Sequence, residues 1–223
     1  MSDITTRLAL ADILKGVAVI LMIQVHLMEL FATEAVFEST TGRISLFLGG
    51  PPAAPVFMAV MGFFFARSKK STSQHIKRGL QLIGLGFILN IGMNAHLLIR
   101  IIGGSLNIDP WPYIFGVDIL FLAGFSIMIM AVFKTIFRRG LIAWIMLLML
   151  AASVNPYLPV YTGEHTWIKY LQAYFWGYFS WSYFPVFPWL AYPVLGVVVF
   201  ILDEKSGILA ISAIYQAVIA LLM

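Results

Sequence analysis

Lys15 and His26 lie in a run, Leu8 to Phe31, that is otherwise apolar enough to cross a membrane; Asp12 stands three residues before the lysine and Glu29 three after the histidine. A Lys or Asp at the centre of a bilayer helix costs roughly 2.5–3.5 kcal/mol on insertion scales, so an ionisable group at that depth marks a functional site by default. At about 1.5 Å rise and 100° per residue, the step from Lys15 to His26 covers about 16 Å and returns to within about 20° of the same helix face. One face therefore carries a cation near its start and an imidazole near its far end, with an acid beside each. An imidazole can take up a proton at neutral pH, and a fixed ammonium can hold an anion or a developing negative charge. The same groups also suit a proton path, or a lysine that snorkels to the interface paired with Asp12.

Further polar groups are spread through later apolar runs. Asn90 and Asn94 share a helix face one turn apart and suit hydrogen bonds between helices. His96 and Arg100, also one turn apart, suit the carboxylate or hydroxyls of a bound substrate. Asp118 falls inside a long apolar run, so it needs a cation or a polar cavity. Arg67, Lys69, Lys70, Lys77 and Arg78 form a basic cluster between two apolar runs, fit for anionic lipid or for the phosphates of a ligand. No metal is expected: the four histidines fall in separate segments, and no His-x-x-x-His or Glu-x-x-His pair occurs. The sequence also lacks a Gly-x-Ser-x-Gly elbow, and with no cysteine it has neither a disulfide nor a thiolate nucleophile.

The elements that must position these groups follow from composition. Of 223 residues, 61% are hydrophobic and 11% charged, far from the roughly 25% charged residues of a soluble domain. The fold class expected is all-α, a polytopic transmembrane helix bundle making a single integral-membrane domain over residues 1–223. Six spans are clear: Leu8 to Phe31, Ala53 to Arg67, Ile76 to Ile102, Tyr113 to Phe133, Leu141 to Val154 and Phe184 to Leu202. A seventh runs from Gly207 to Met223, giving about seven membrane helices. The aromatic tract over residues 166–182 is expected to lie as a helix at the outer interface or to re-enter, since Trp and Tyr concentrate there. If it spans instead, the last two helices invert.

With the N-terminus in the cytoplasm, ten of the fourteen basic residues fall inside, against Arg43, Arg100 and Lys169 outside, and Lys15 stays in its span. The net charge of +4 thus reports orientation rather than a nucleic-acid footprint. Residues Met1 to Thr6 run straight into the first span with no cleavage-site pattern, and a bacterial inner membrane is the expected location.

Four stretches resemble membrane-bound acyltransferases, most closely the heparan-alpha-glucosaminide N-acetyltransferase catalytic-domain family, with wider similarity to the acyltransferase-3 family. Arg7, Asp12-Ile13-Leu14-Lys15-Gly16 and the Lys15 to His26 spacing are similar to the first-helix pattern. Pro55-Val56-Phe57 followed by Gly62 resembles the second helix, Lys77-Arg78-Gly79-Leu80 the entry of the third, and Tyr183-Phe184-Pro185-Val186-Phe187-Pro188-Trp189 a later signature. Departures are Lys15 where arginine is commoner, Asp118-Ile119-Leu120 where many relatives have a Gly-Ile-Leu-His-like run, and fewer spans than complete members.

The resemblance implies transfer of an acetyl or other short acyl group from cytoplasmic acyl-CoA to a glycan or lipid-linked acceptor on the far side. His26 would be the base, Lys15 with Asp12 beside it the cation that binds the donor or stabilises the thioester oxyanion, and Asp118, His96, Arg100 and Trp189 the substrate contacts. Arg67, Lys77 and Arg78 would meet the donor's phosphates. Membrane lipids and other membrane proteins are expected partners, and nucleic acid is not. Two rivals stand beside this reading. One is a non-catalytic subunit or scaffold that keeps the family's helices; the other, a small-molecule or lipid transporter, lacks the matching halves that such proteins show.

Overall fold

In a computed structural model, which describes residues 9–206 except 51 and 139, and the backbone alone at 9–12, 30, 205 and 206, the apolar runs become helices. Among the described residues there is no strand, only a one-residue bridge between Val117 and Ser182. Three helical stretches there are long and apolar enough to cross a membrane: Thr40–Arg67, Ile119–Phe137 and Val186–Glu204. A fourth exists if two helices bent by 65° count as one span. The expected final span, Gly207 to Met223, lies outside the described residues.

The chain divides into two compact units, residues 1–67 with 195–223, and residues 68–194. In the first, α1 (Ala9–Phe31) leads through the short α2 (Glu34–Phe37) into α3 (Thr40–Gly49) and α4 (Ala53–Arg67). Ser39 starts α3 by accepting a hydrogen bond from Gly42 N at 3.0 Å, which satisfies one of the amides that a helix start leaves open. Gly49 lets α3 close on α1: a Cβ there would stand 2.5 Å from Val25 Cβ and 2.6 Å from Leu21 O. Gly196, on α12 (Ala191–Ser206), presses in the same way on the Ala59 backbone of α4. Ala18 and Val25 are buried, whereas Ile13, Val17, Ile20, Leu27 and Phe31 form an exposed stripe at spacings of three, four and seven. An apolar stripe turned outward suits acyl chains, and small residues at the contacts are how helices approach in a membrane.

The second unit is built on α5 (Thr72–Met93) and α8 (Ile119–Phe137), which cross where glycine meets glycine. A capping box opens α5, with Ser71 accepting from Gln74 N and Gln74 accepting from Ser71 N. Sequence predicts one helix from Ile76 to Ile102, but α5 ends at Met93 and α6 (Ala95–Ile102) leaves at 65°. The bend has a visible cause at Asn94, whose backbone departs from helical values (φ −97°, ψ 9°). Its Nδ2 donates to Asn90 O at 2.9 Å and to Tyr113 O at 3.3 Å.

The expected span from Tyr113 to Phe133 is also broken. A single turn, α7 (Trp111–Ile114), precedes an irregular stretch, and α8 starts only at Ile119. Backbone hydrogen bonds made elsewhere account for this. Val117 N donates to Trp181 O at 2.7 Å, while Val117 O accepts from Tyr183 N at 3.1 Å and Phe184 N at 3.2 Å. Asn90, buried, donates its Nδ2 protons to Ile114 O and Gly116 O. Groups so committed cannot join a helical ladder.

Two further segments are shorter than a crossing requires. The helix α9 (Leu141–Ser153) has 13 residues. The aromatic tract forms α10 (Thr166–Phe175), ten residues or about 15 Å, against the roughly 30 Å of a hydrocarbon core. It turns Tyr170, Ala173 and Tyr174 inward and leaves Trp167 and Leu171 exposed, and it is followed by the single turn α11 (Val186–Trp189). Its buried side meets Val117 and Phe121 in an aromatic core, where Phe121 and Tyr174 rings lie 5.1 Å apart and Phe87 and Phe121 4.9 Å.

Candidate functional site

In the first unit, α1 carries His26, Glu29 and Lys15. His26 Nδ1 lies 3.3 Å from Glu29 Oε2, one turn further along the helix, and both side chains are about half exposed, at 56% and 53%. In the tautomer with its proton on Nδ1, the ring donates to Glu29 and leaves Nε2, turned away from the carboxylate, as the proton acceptor. Lys15, half-buried, places its Nζ 4.7 Å from the centre of the Phe64 ring on α4. The ring face attracts the ammonium and holds it against the helix pair. The Asp12 side chain lies outside the described residues. Sequence foresaw an acid beside His26, and Glu29 was visible there as the residue one turn on; Phe64 was not, because only the packing of α4 brings it to Lys15.

The other expected site residues are distributed differently. Arg67 closes α4, and Lys77 and Arg78 are exposed in the first turns of α5, in the second unit. In that unit Asp118 is the residue before α8, where its carbonyl accepts from Phe121 N at 3.1 Å and Leu122 N at 3.3 Å. Its carboxylate does not cap the helix. Burial first, and then the Asp118 charge, push the Tyr174 phenol well above its usual value, so the phenol remains a neutral O–H. Trp189 packs on Phe184 and Tyr192 with ring centres 4.8 and 5.5 Å away. His96 and Arg100 are exposed on α6.

Sequence reasoning missed a tyrosine and aspartate pair in this unit. Tyr170 Oη lies 3.5 Å from Asp109 Oδ2. Burial, then the negative charge of Asp109 and their hydrogen bond, raise the Tyr170 phenol from 10.0 to about 12. Since 61 residues separate the two, no local spacing could have indicated the pair. Among the described residues no group of three His, Cys, Asp or Glu is placed to hold a metal ion.

Residues 7–215 match the family described as heparan-alpha-glucosaminide N-acetyltransferase, catalytic. The chain belongs to that family. As a heparan-alpha-glucosaminide N-acetyltransferase catalytic-domain family member with several apolar helices, it is an acetyltransferase-like membrane protein. The family match spans all four sequence stretches that carry the resemblance, from Arg7 to Trp189. No curated protein and no solved structure matches the chain.

Proposed function

We propose that the chain is a membrane acyltransferase that moves an acetyl or other short acyl group from acyl-CoA to an amine or hydroxyl of a glycan or lipid-linked acceptor. The observation that carries this reading is the His26 and Glu29 pair at 3.3 Å, on a helix that also bears Lys15, in a chain of this family. His26 Nε2 takes the proton of the acceptor's N–H or O–H as that nitrogen or oxygen attacks the thioester carbonyl. The carbon–sulfur bond then breaks, and the coenzyme A thiolate leaves to be protonated. Glu29 keeps the Nδ1 proton in place and stabilises the imidazolium formed on the way.

Lys15 has a separate task. About 16 Å along the helix axis from His26, it cannot touch the same reacting atom. Its ammonium, held at the Phe64 ring, suits an anionic part of the donor better than the oxyanion beside His26. The excess of Lys and Arg at one end of the spans supports an N-terminus on the cytoplasmic side, which gives Lys15 to the donor's side and His26 to the acceptor's.

The test is acetyl transfer by the purified full chain in nanodiscs, from radiolabelled acetyl-CoA to a glucosamine-terminated glycan, with His26→Ala alongside. Transfer by the wild type and its loss in the variant are expected. Equal transfer by both would remove His26 from the mechanism.

A further inference from the structure

The helix α6 presents two unlike surfaces side by side. Its Leu97, Leu98 and Ile101 are half-buried, while Ile99 and Ile102 are 69% and 86% exposed. His96 and Arg100 are exposed as well, centred about 110° around the helix from the two isoleucines. Among the described residues Arg100 forms no ion pair. The chain has no Asp or Glu between Glu38 and Asp109, so the helix itself carries only positive charge.

Orientation comes from the bend. The parent helix α5 is, with α6, part of a candidate span, and the 65° turn at Asn94 swings the last eight residues away from the α5 axis. If α5 runs near the bilayer normal, such a turn lays α6 closer to the membrane plane than to the normal. Just beyond α6 in the chain Trp111 is 49% exposed, a residue type that concentrates at membrane interfaces. The basic residues of α5, Lys77 and Arg78, stand at its opposite end.

We infer that α6 is a membrane-surface helix whose Ile99 and Ile102 enter the acyl region while Arg100, with His96 beside it, binds the phosphate of an anionic phospholipid. An amphipathic helix with cations flanking an apolar strip lies at the boundary of headgroup and acyl chain in this way. Arginine's guanidinium suits the phosphate because it offers two parallel N–H donors. Two isoleucines so exposed have no burial to gain within the unit, and acyl chains supply it. The asparagine bend is then what sets the depth of α6, since the Asn94 bond to Tyr113 O fixes the angle at which it departs.

Because the chain has no cysteine, one introduced thiol gives a single label. A bimane fluorophore on Ile102→Cys, in the full chain reconstituted into vesicles, reports both depth and lipid identity. Quenching is compared between brominated phosphatidylcholine and brominated phosphatidylglycerol, with bromines placed near the headgroup or near the chain ends. Strongest quenching near the headgroup is expected, with phosphatidylglycerol more effective than phosphatidylcholine. Adding Arg100→Gln should cut that preference about fivefold, the effect of one basic residue near a charged surface.

Emission as in water, or strongest quenching by bromines at the chain ends, would overturn the surface placement; the latter would mark a re-entrant helix. Equal quenching by both lipids would overturn the contact with an anionic phospholipid, since phosphatidylcholine carries a phosphate as well. So would a preference that Arg100→Gln leaves intact.

Discussion

Gly79 of α5 and Gly124 of α8 meet backbone to backbone: a Cβ on either would stand 2.7 Å from the carbonyl oxygen of the other. No side chain can be added at this crossing without moving a helix. Gly124→Leu should therefore separate the two helices and lower stability by about 1–3 kcal/mol, the range for overpacked contacts. Thermal unfolding of the purified protein in a fixed detergent measures it. Gly84→Leu is the control, since nothing lies within 4 Å of a Cβ placed there.

His26→Ala should lower kcat for acyl transfer by about a hundredfold or more, the contribution of a general base. Glu29→Gln keeps the shape of the pair but removes the charge that holds the Nδ1 proton, so its kcat should fall between wild type and His26→Ala. The KM for acyl-CoA should change little in either. An effect on KM alone would instead make His26 a binding residue.

Asn90 is buried, and its Nδ2 reaches Ile114 O at 3.1 Å and Gly116 O at 2.8 Å. Asn90→Leu deprives both carbonyls of a donor, which should cost about 1–3 kcal/mol. Denaturant or detergent unfolding checks the size. Hydrogen exchange at Val117 and Asp118 should also quicken, since the stretch before α8 loses an anchor.

Tyr170 gives a pH dependence whose direction is fixed. Its folded value is raised from 10.0 to about 12, chiefly by burial and then by Asp109, so the folded protein keeps this proton where the unfolded chain releases it. The stabilisation is fully present below pH 10 and is lost as pH rises from there through about 12. Unfolding midpoints recorded across that range should fall more steeply in wild type than in Tyr170→Phe. Parallel curves would show that Tyr170 does not titrate differently in the two states.

Hydropathy revealed where apolar helices lie but not where they break. Asn94 and Gly116 interrupt runs whose average composition is uniformly apolar, and the causes are partners far along the chain: Tyr113 for one, Asn90 for the other. The face shared by Lys15 and His26 was legible because helical geometry alone determines it. Glu29 was legible for the same reason. Phe64 under Lys15 and Asp109 beside Tyr170 were not, since both contacts arise only from tertiary packing.

The bonds that tie Val117 to Trp181, Tyr183 and Phe184 also impose an order in time. During synthesis α8 leaves the ribosome well before residue 181 exists, so the Val117 amide and carbonyl enter the membrane without their final acceptor and donors. Until those residues arrive, Asn90 can already hold Ile114 O and Gly116 O, and it is the Val117 N–H and C=O that still await partners. The Tyr-Phe-Pro signature, with Trp181 before it, supplies them last. Nascent chains halted before residue 181 should accordingly exchange the Val117 amide proton faster than the finished protein.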